Sequence, residues 1–159
     1  MKLKGIVDTD ITNYKKISMF LITETCSLKC DKENKNNYCH NSGLLSQPTI
    51  EISSDELYER YKSNNLSEAI VIGGLEPFDS MSDLLELMFT FRRVHRCKDD
   101  IVIYTGYRKE EIEDELFVLE DYAPFIIKFG RYRPNQEPHF DKILGIELAN
   151  DEQYAESYR

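Results

Sequence analysis

Four short apolar blocks punctuate the chain, at residues 17–22, 69–72, 101–104 and 125–129. Each has the length and composition of a central parallel strand covered on both faces. Glycines close the last three, at Gly73-Gly74, Gly106 and Gly130. Between the blocks the apolar period lengthens to that of a helix. Ser53 and Glu56 stand at the spacing of a capping box, ahead of a helix that turns Leu57, Tyr58 and Tyr61 inward and stops at Asn64 and Asn65. Leu84, Leu87, Met88, Phe91 and Val94 mark a second helix, and Ile112, Leu116 and Leu119 a third. The 28 residues from 73 to 100 and the 20 from 105 to 124 are enough for right-handed crossovers. The pattern predicts an α/β fold, a parallel sheet or partial β/α barrel, in a single domain over residues 1–159. Residues 1–16 are mostly polar and read as an approach arm or edge strand.

Composition narrows the class. Hydrophobic residues at 41% and charged ones at 31% suit a globular domain with a real core. A net charge of -9, with no basic run longer than two residues, argues against nucleic acid as a partner. No apolar run approaches the roughly 20 residues of a membrane span, so the expectation is a cytoplasmic protein without a membrane partner. In that setting four cysteines read as ligands or free thiols.

Three of them, Cys26, Cys30 and Cys39, fall in the polar loop after the first block. Thiolates bind soft metals and iron-sulfur clusters, and three from one loop can occupy three corners of a cubane and leave one iron open. The alternative is a structural zinc completed by His40 or Cys97. Cys97 otherwise reads as a half-buried free thiol, His40 as a loop residue beside the metal, and His95 and His139 as surface residues. The segment 31–37, between the second and third cysteines, has no apolar residue and is expected to be a solvated excursion that metal binding can do without.

In parallel α/β folds the strand C-termini build the site. That rim gathers the cysteine loop, Gly73-Gly74-Leu75-Glu76-Pro77, Tyr104-Thr105-Gly106-Tyr107 and Gly130-Arg131-Tyr132. The glycine pair lets backbone approach a ligand closely. Glu76 is expected to fix its own loop by accepting backbone hydrogens, Thr105 to belong to a turn, and Arg131 to be a solvated charge.

Taken together, these motifs resemble the radical SAM superfamily, and within it the small activating proteins of anaerobic ribonucleotide reductase. Tyr38 stands just before the third cysteine, as an aromatic residue does in that family. Gly73 to Pro77 is similar to its GGEP element with one residue inserted. Ile103 to Tyr107, Phe129 to Tyr132 and Leu148 to Gln153 are similar to later segments, so the resemblance runs from about Tyr14 to Tyr154. Two features depart from the pattern: the cysteine spacing is three then eight residues instead of three then two, and Glu152 stands where Asn is usual. A branch of small cluster-binding proteins from bacteria and phages shares the longer loop and the GGLEPFD element.

The resemblance implies a partial parallel β/α barrel of the radical SAM type. It implies a [4Fe-4S] cluster on Cys26, Cys30 and Cys39, and S-adenosyl-L-methionine bound through Tyr38, Gly73, Gly74, Glu76, Pro77 and Thr105, with no separate catalytic side chain. The activity implied is reductive cleavage of that cofactor to generate a glycyl radical on a partner enzyme, an anaerobic ribonucleotide reductase, with reduced flavodoxin or ferredoxin as electron donor. On this view Gly74→Val keeps fold and cluster and weakens cofactor binding. Two other classes compete: an iron-sulfur electron-transfer or binding module that never cleaves the cofactor, and a zinc-stabilised interaction domain.

Overall fold

The computed structural model describes residues 1–159. Strand β1 (Lys2–Asp10) runs antiparallel to β2 (Ser18–Thr23), the first apolar block. Beyond β2 come the cysteine loop with its short helix α1 (Lys29–Asn34), the two-residue strand β3 (Ile50–Glu51) and helix α2 (Ser54–Ser63). The chain continues through β4 (Ala69–Gly73), α3 (Met81–Phe89), β5 (Asp100–Tyr104), α4 (Glu113–Leu119) and β6 (Phe125–Phe129). A hairpin of β7 (His139–Asp141) and β8 (Ile146–Leu148) precedes the last strand, β9 (Tyr154–Tyr158). The main sheet has the order β3-β1-β2-β4-β5-β6-β9. Its four middle strands are parallel, and β1 and β9 flank them antiparallel. The fold is therefore mixed α/β with a mostly parallel central sheet, and its open ends fit a partial β/α barrel. No helix is long and apolar enough to cross a membrane.

Alternation along the strands divides the interior in two. Ile70, Ile72, Ile101, Ile103 and Ile127 face the helices and pack with Leu57 and Tyr61 of α2, Leu84, Leu87, Met88 and Phe91, and Ile112, Leu116 and Leu119 of α4. The smaller Ala69, Val71 and Val102 face the other way, where Tyr14 of the approach arm and Leu144 and Leu148 of the hairpin fill the concave side. The capping box of α2 forms as the spacing predicts: the Ser53 side chain accepts from the Glu56 N–H and Glu56 accepts from the Ser53 N–H. Helix α3 departs from expectation at its end, where residues Thr90–Val94 form a π-helical turn. The wider turn carries Val94 off the buried face, leaving it 53% exposed.

Candidate metal centre

Parallel pairing sets the strand ends side by side, with Ile22 opposite Gly73 and Tyr104 opposite Lys128. Main-chain bonds then tie the rim loops together. The Glu76 N–H donates to Thr25 O at 2.9 Å, Thr105 N–H to Lys128 O at 2.9 Å, and Gly130 N–H to Tyr107 O at 3.0 Å. Two carboxylates complete the weave. Buried Glu76 accepts from Thr105 Oγ1 at 2.7 Å, Gly106 N–H at 2.8 Å and Phe78 N–H at 3.2 Å, the loop-fixing task expected of it. Burial raises its carboxyl to about 7 despite those three donors. Asp79 joins three loops, accepting from Ser27 N–H at 2.6 Å and from the Tyr107 hydroxyl at 2.6 Å.

Within this frame Cys26, Cys30 and Cys39 line one cavity of about 420 Å³ together with Gly74, Leu75, Glu76, Thr105 and Gly106. All three thiols are free and half-buried. Burial pushes Cys26 up to about 11 and raises Cys30, and the charge of Cys39 adds to both. Bound metal displaces such protons, because the ligand is the thiolate. The loop bends at Leu28, whose φ of 53° is left-handed and whose N–H donates to Cys26 Sγ at 3.3 Å. Gly106 leaves space beside the site, since a Cβ there would stand 3.5 Å from Cys30 Sγ.

The donor set fits a cubane cluster. Three thiolates on one cavity match three irons of such a cluster. Cys97 stands just before β5, at the opposite end of a five-residue strand, about 16 Å of backbone from the rim. It cannot complete a zinc site there. His40 lines the cavity and its ring tilts against Tyr132 at 4.7 Å.

Not every residue singled out by the sequence reaches the cavity wall. Gly73 stands at the end of β4, where its carbonyl accepts from Thr23 Oγ1 at 3.4 Å and an added Cβ would meet Tyr104 Cβ at 2.8 Å. Pro77 opens the buried 3₁₀ turn Pro77–Ser80, and Tyr38 lies outside the wall, 38% exposed. Gly74 does line the cavity, but its φ is +76° and a Cβ would stand 2.9 Å from Ile22 Cγ2. Valine there strains the β2–β4 junction itself, so the expectation that it leaves the fold intact is corrected.

The segment 31–37 is solvated as expected, with Lys32, Glu33, Lys35, Asn36 and Asn37 exposed, but it is also anchored through Asp31, Glu33 and Asn34. Lys29–Asn34 form α1, Asn34 Nδ2 donates to Cys30 O at 2.8 Å and Tyr132 O at 3.3 Å, and Glu33 Oε1 lies 3.1 Å from Arg131 Nε. The Asp31 carboxylate accepts from the Tyr38 and Cys39 N–H groups at 2.8 and 2.7 Å. Polar composition here serves anchoring. Arg131, expected to be solvated, is 2% exposed and holds Glu111 with both terminal nitrogens at 2.6 and 2.7 Å. That pairing draws the Glu111 carboxyl down to about 2.

Lys128 is the residue the sequence pattern passed over. It interrupts the apolar block of β6, faces the cavity as the one lysine or arginine lining it, and donates to Gly130 O at 2.9 Å. Burial lowers its ammonium to about 8. The signal was a lone cation at an inward strand position.

A family model described as a 4Fe-4S single cluster domain matches residues 15–145, which takes in all four rim loops, the cysteine loop among them, and the four parallel strands. No curated protein and no solved structure gives a match.

Proposed function

Because the chain belongs to the 4Fe-4S single cluster domain family, we propose that it is a radical SAM activase that generates a glycyl radical on a partner enzyme. The observation that carries the reading is the meeting of three thiols, a glycine strand end and one buried ammonium on a single cavity. Cys26, Cys30 and Cys39 would hold the cluster and would leave one iron without a protein ligand. When bound, a reduced low-potential cluster supplies the electron that breaks a carbon-sulfur bond of S-adenosyl-L-methionine.

The chain's own residues bind and orient. Gly74 and Leu75 on the cavity wall would offer main-chain acceptors to the cofactor's ammonium group, and Lys128 would supply the counter-charge for its carboxylate. Glu76, Thr105 and Asp79 hold the loops in place, so the site costs little reorganisation on binding. Cavity volume supports a macromolecular substrate. About 420 Å³ is near the lower end of the ~300–1,000 Å³ range for one small-molecule site. A cluster with its cofactor would leave little of that space free, and the hairpin covers the sheet face behind it. The hydrogen donor then enters from the rim, as a loop of a glycyl radical enzyme such as an anaerobic ribonucleotide reductase, with reduced flavodoxin or ferredoxin giving the electron.

The test is anaerobic reconstitution with iron and sulfide, reduction with dithionite in the presence of S-adenosylmethionine, and assay for 5′-deoxyadenosine. Product formation that Cys26→Ser abolishes supports the activase. A fully loaded protein that leaves the cofactor whole is an electron-transfer or binding module instead.

A further inference from the structure

We infer that Asp31 is the positioning residue that brings Cys39 to the cluster, an inference that rests on the cluster reading and adds to it the means by which the long loop returns its third ligand. Eight residues separate Cys30 from Cys39, and left to itself a polar segment of that length samples many closures. Asp31 removes that freedom at both ends of the excursion. Its main-chain carbonyl accepts from the Lys35 N–H and from the Asn36 N–H at 3.2 Å, ending α1. Its carboxylate Oδ1 accepts from two successive amides, Tyr38 at 2.8 Å and Cys39 at 2.7 Å.

Consecutive N–H groups that converge form a small anion-binding concavity, and a carboxylate fills it without bringing a donor of its own. On the far side, Ser42 closes the same residue: its N–H and hydroxyl both donate to Cys39 O, at 3.3 and 3.1 Å. Cys39 is thus gripped at both main-chain polar groups. The side chain of Asp31 is buried although its neighbours Lys32 and Glu33 are exposed, which points it inward under the loop. Asn34 and Glu33 dock the excursion on Cys30, Tyr132 and Arg131, but neither reaches Cys39. Only Asp31 links the second ligand's helix to the third ligand's backbone.

The experiment compares wild type, Asp31→Ala, Asp31→Asn and Cys39→Ser. In metal-free protein, hydrogen exchange at the Tyr38 and Cys39 amides and the rate of Cys39 alkylation by iodoacetamide are measured, with Cys26 and Cys30 as internal references; iron and sulfide per chain are then measured after reconstitution. Asp31→Ala should speed exchange at the two amides at least about tenfold. It should raise Cys39 alkylation relative to the other two thiols and bind as little iron as Cys39→Ser. Asp31→Asn, which keeps an acceptor oxygen, should recover part of the iron. Thermal unfolding of the metal-free variants checks that the body of the fold is intact, since Asp31 touches neither hydrophobic cluster. Asp31→Ala with wild-type exchange and wild-type iron overturns the inference. If wild type itself takes up no cluster, the cluster reading fails, while exchange and alkylation still decide whether Asp31 holds Cys39.

Discussion

A lysine inside an apolar strand is costly unless something uses its charge, and Lys128 has one main-chain carbonyl as its hydrogen-bond partner. As counter-charge to a cofactor carboxylate it predicts a divided phenotype. Lys128→Met should keep the cluster, raise the thermal midpoint of the metal-free protein or leave it unchanged, and weaken S-adenosylmethionine binding about tenfold or more in equilibrium dialysis. Unchanged affinity removes Lys128 from the cofactor's binding groups. Arg131 and Glu111 give a pH prediction. Hydrogen bonds from Arg131 depress the Glu111 carboxyl to about 2 from an ordinary 4.5, so the pair stabilises fully above about pH 4.5 and loses that contribution as pH falls toward 2. Glu111→Gln should therefore lower the metal-free protein's stability at neutral pH by only about 1 kcal/mol, because solvent screens the exposed Glu111 and Arg131 keeps Glu33 3.1 Å from its Nε. Denaturant curves taken from pH 7 downward should converge on wild type in acid. At this scale the three cysteines were legible because their chemistry is in the residue type. Asp31, Asp79 and Lys128 were not, because each matters through a partner 7 to 52 residues distant or through burial that composition does not report.

Elements were easier to read. The four parallel strands fall within a residue or two of the apolar blocks, since strands covered on both faces are apolar on both faces. The hairpin and β9 were missed for the converse reason. Strand β9, YAESY, covers one face only and carries Glu156 and Ser157, and β7 and β8 are three residues each, too short for a period to register. The edge strand β1 was recognised only as an arm or edge, as its polar sequence allowed. Packing between elements makes its own prediction at Gly74. A side chain there needs a positive φ and meets Ile22, so Gly74→Val should destabilise the metal-free protein by about 2 kcal/mol or more, seen as a lower urea midpoint. A midpoint equal to wild type would mean that β2 and β4 can separate at their ends without cost. Helix α2 offers a control far from the site: Ser53→Ala, which removes half of the capping box, should cost about 1 kcal/mol in the same assay and leave iron content unchanged.

Over the whole molecule, side-by-side strand ends bring the cysteine loop, the glycine turn, Thr105 and Lys128 around one cavity, while hairpin and approach arm close the concave face beneath it. The rim is the open side. That arrangement was foreseeable from four blocks with unusual loops after each; that the hairpin fills the interior was not, because nothing local in residues 139–148 says where they pack. On the proposed function the cluster's free iron takes S-adenosylmethionine. Electron paramagnetic resonance of the reduced, reconstituted protein tests it most directly, with spectra taken before and after the cofactor is added. A changed cluster signal is expected in wild type, and no cluster signal in Cys39→Ser. A fully loaded wild-type cluster whose spectrum is the same with and without cofactor would contradict it.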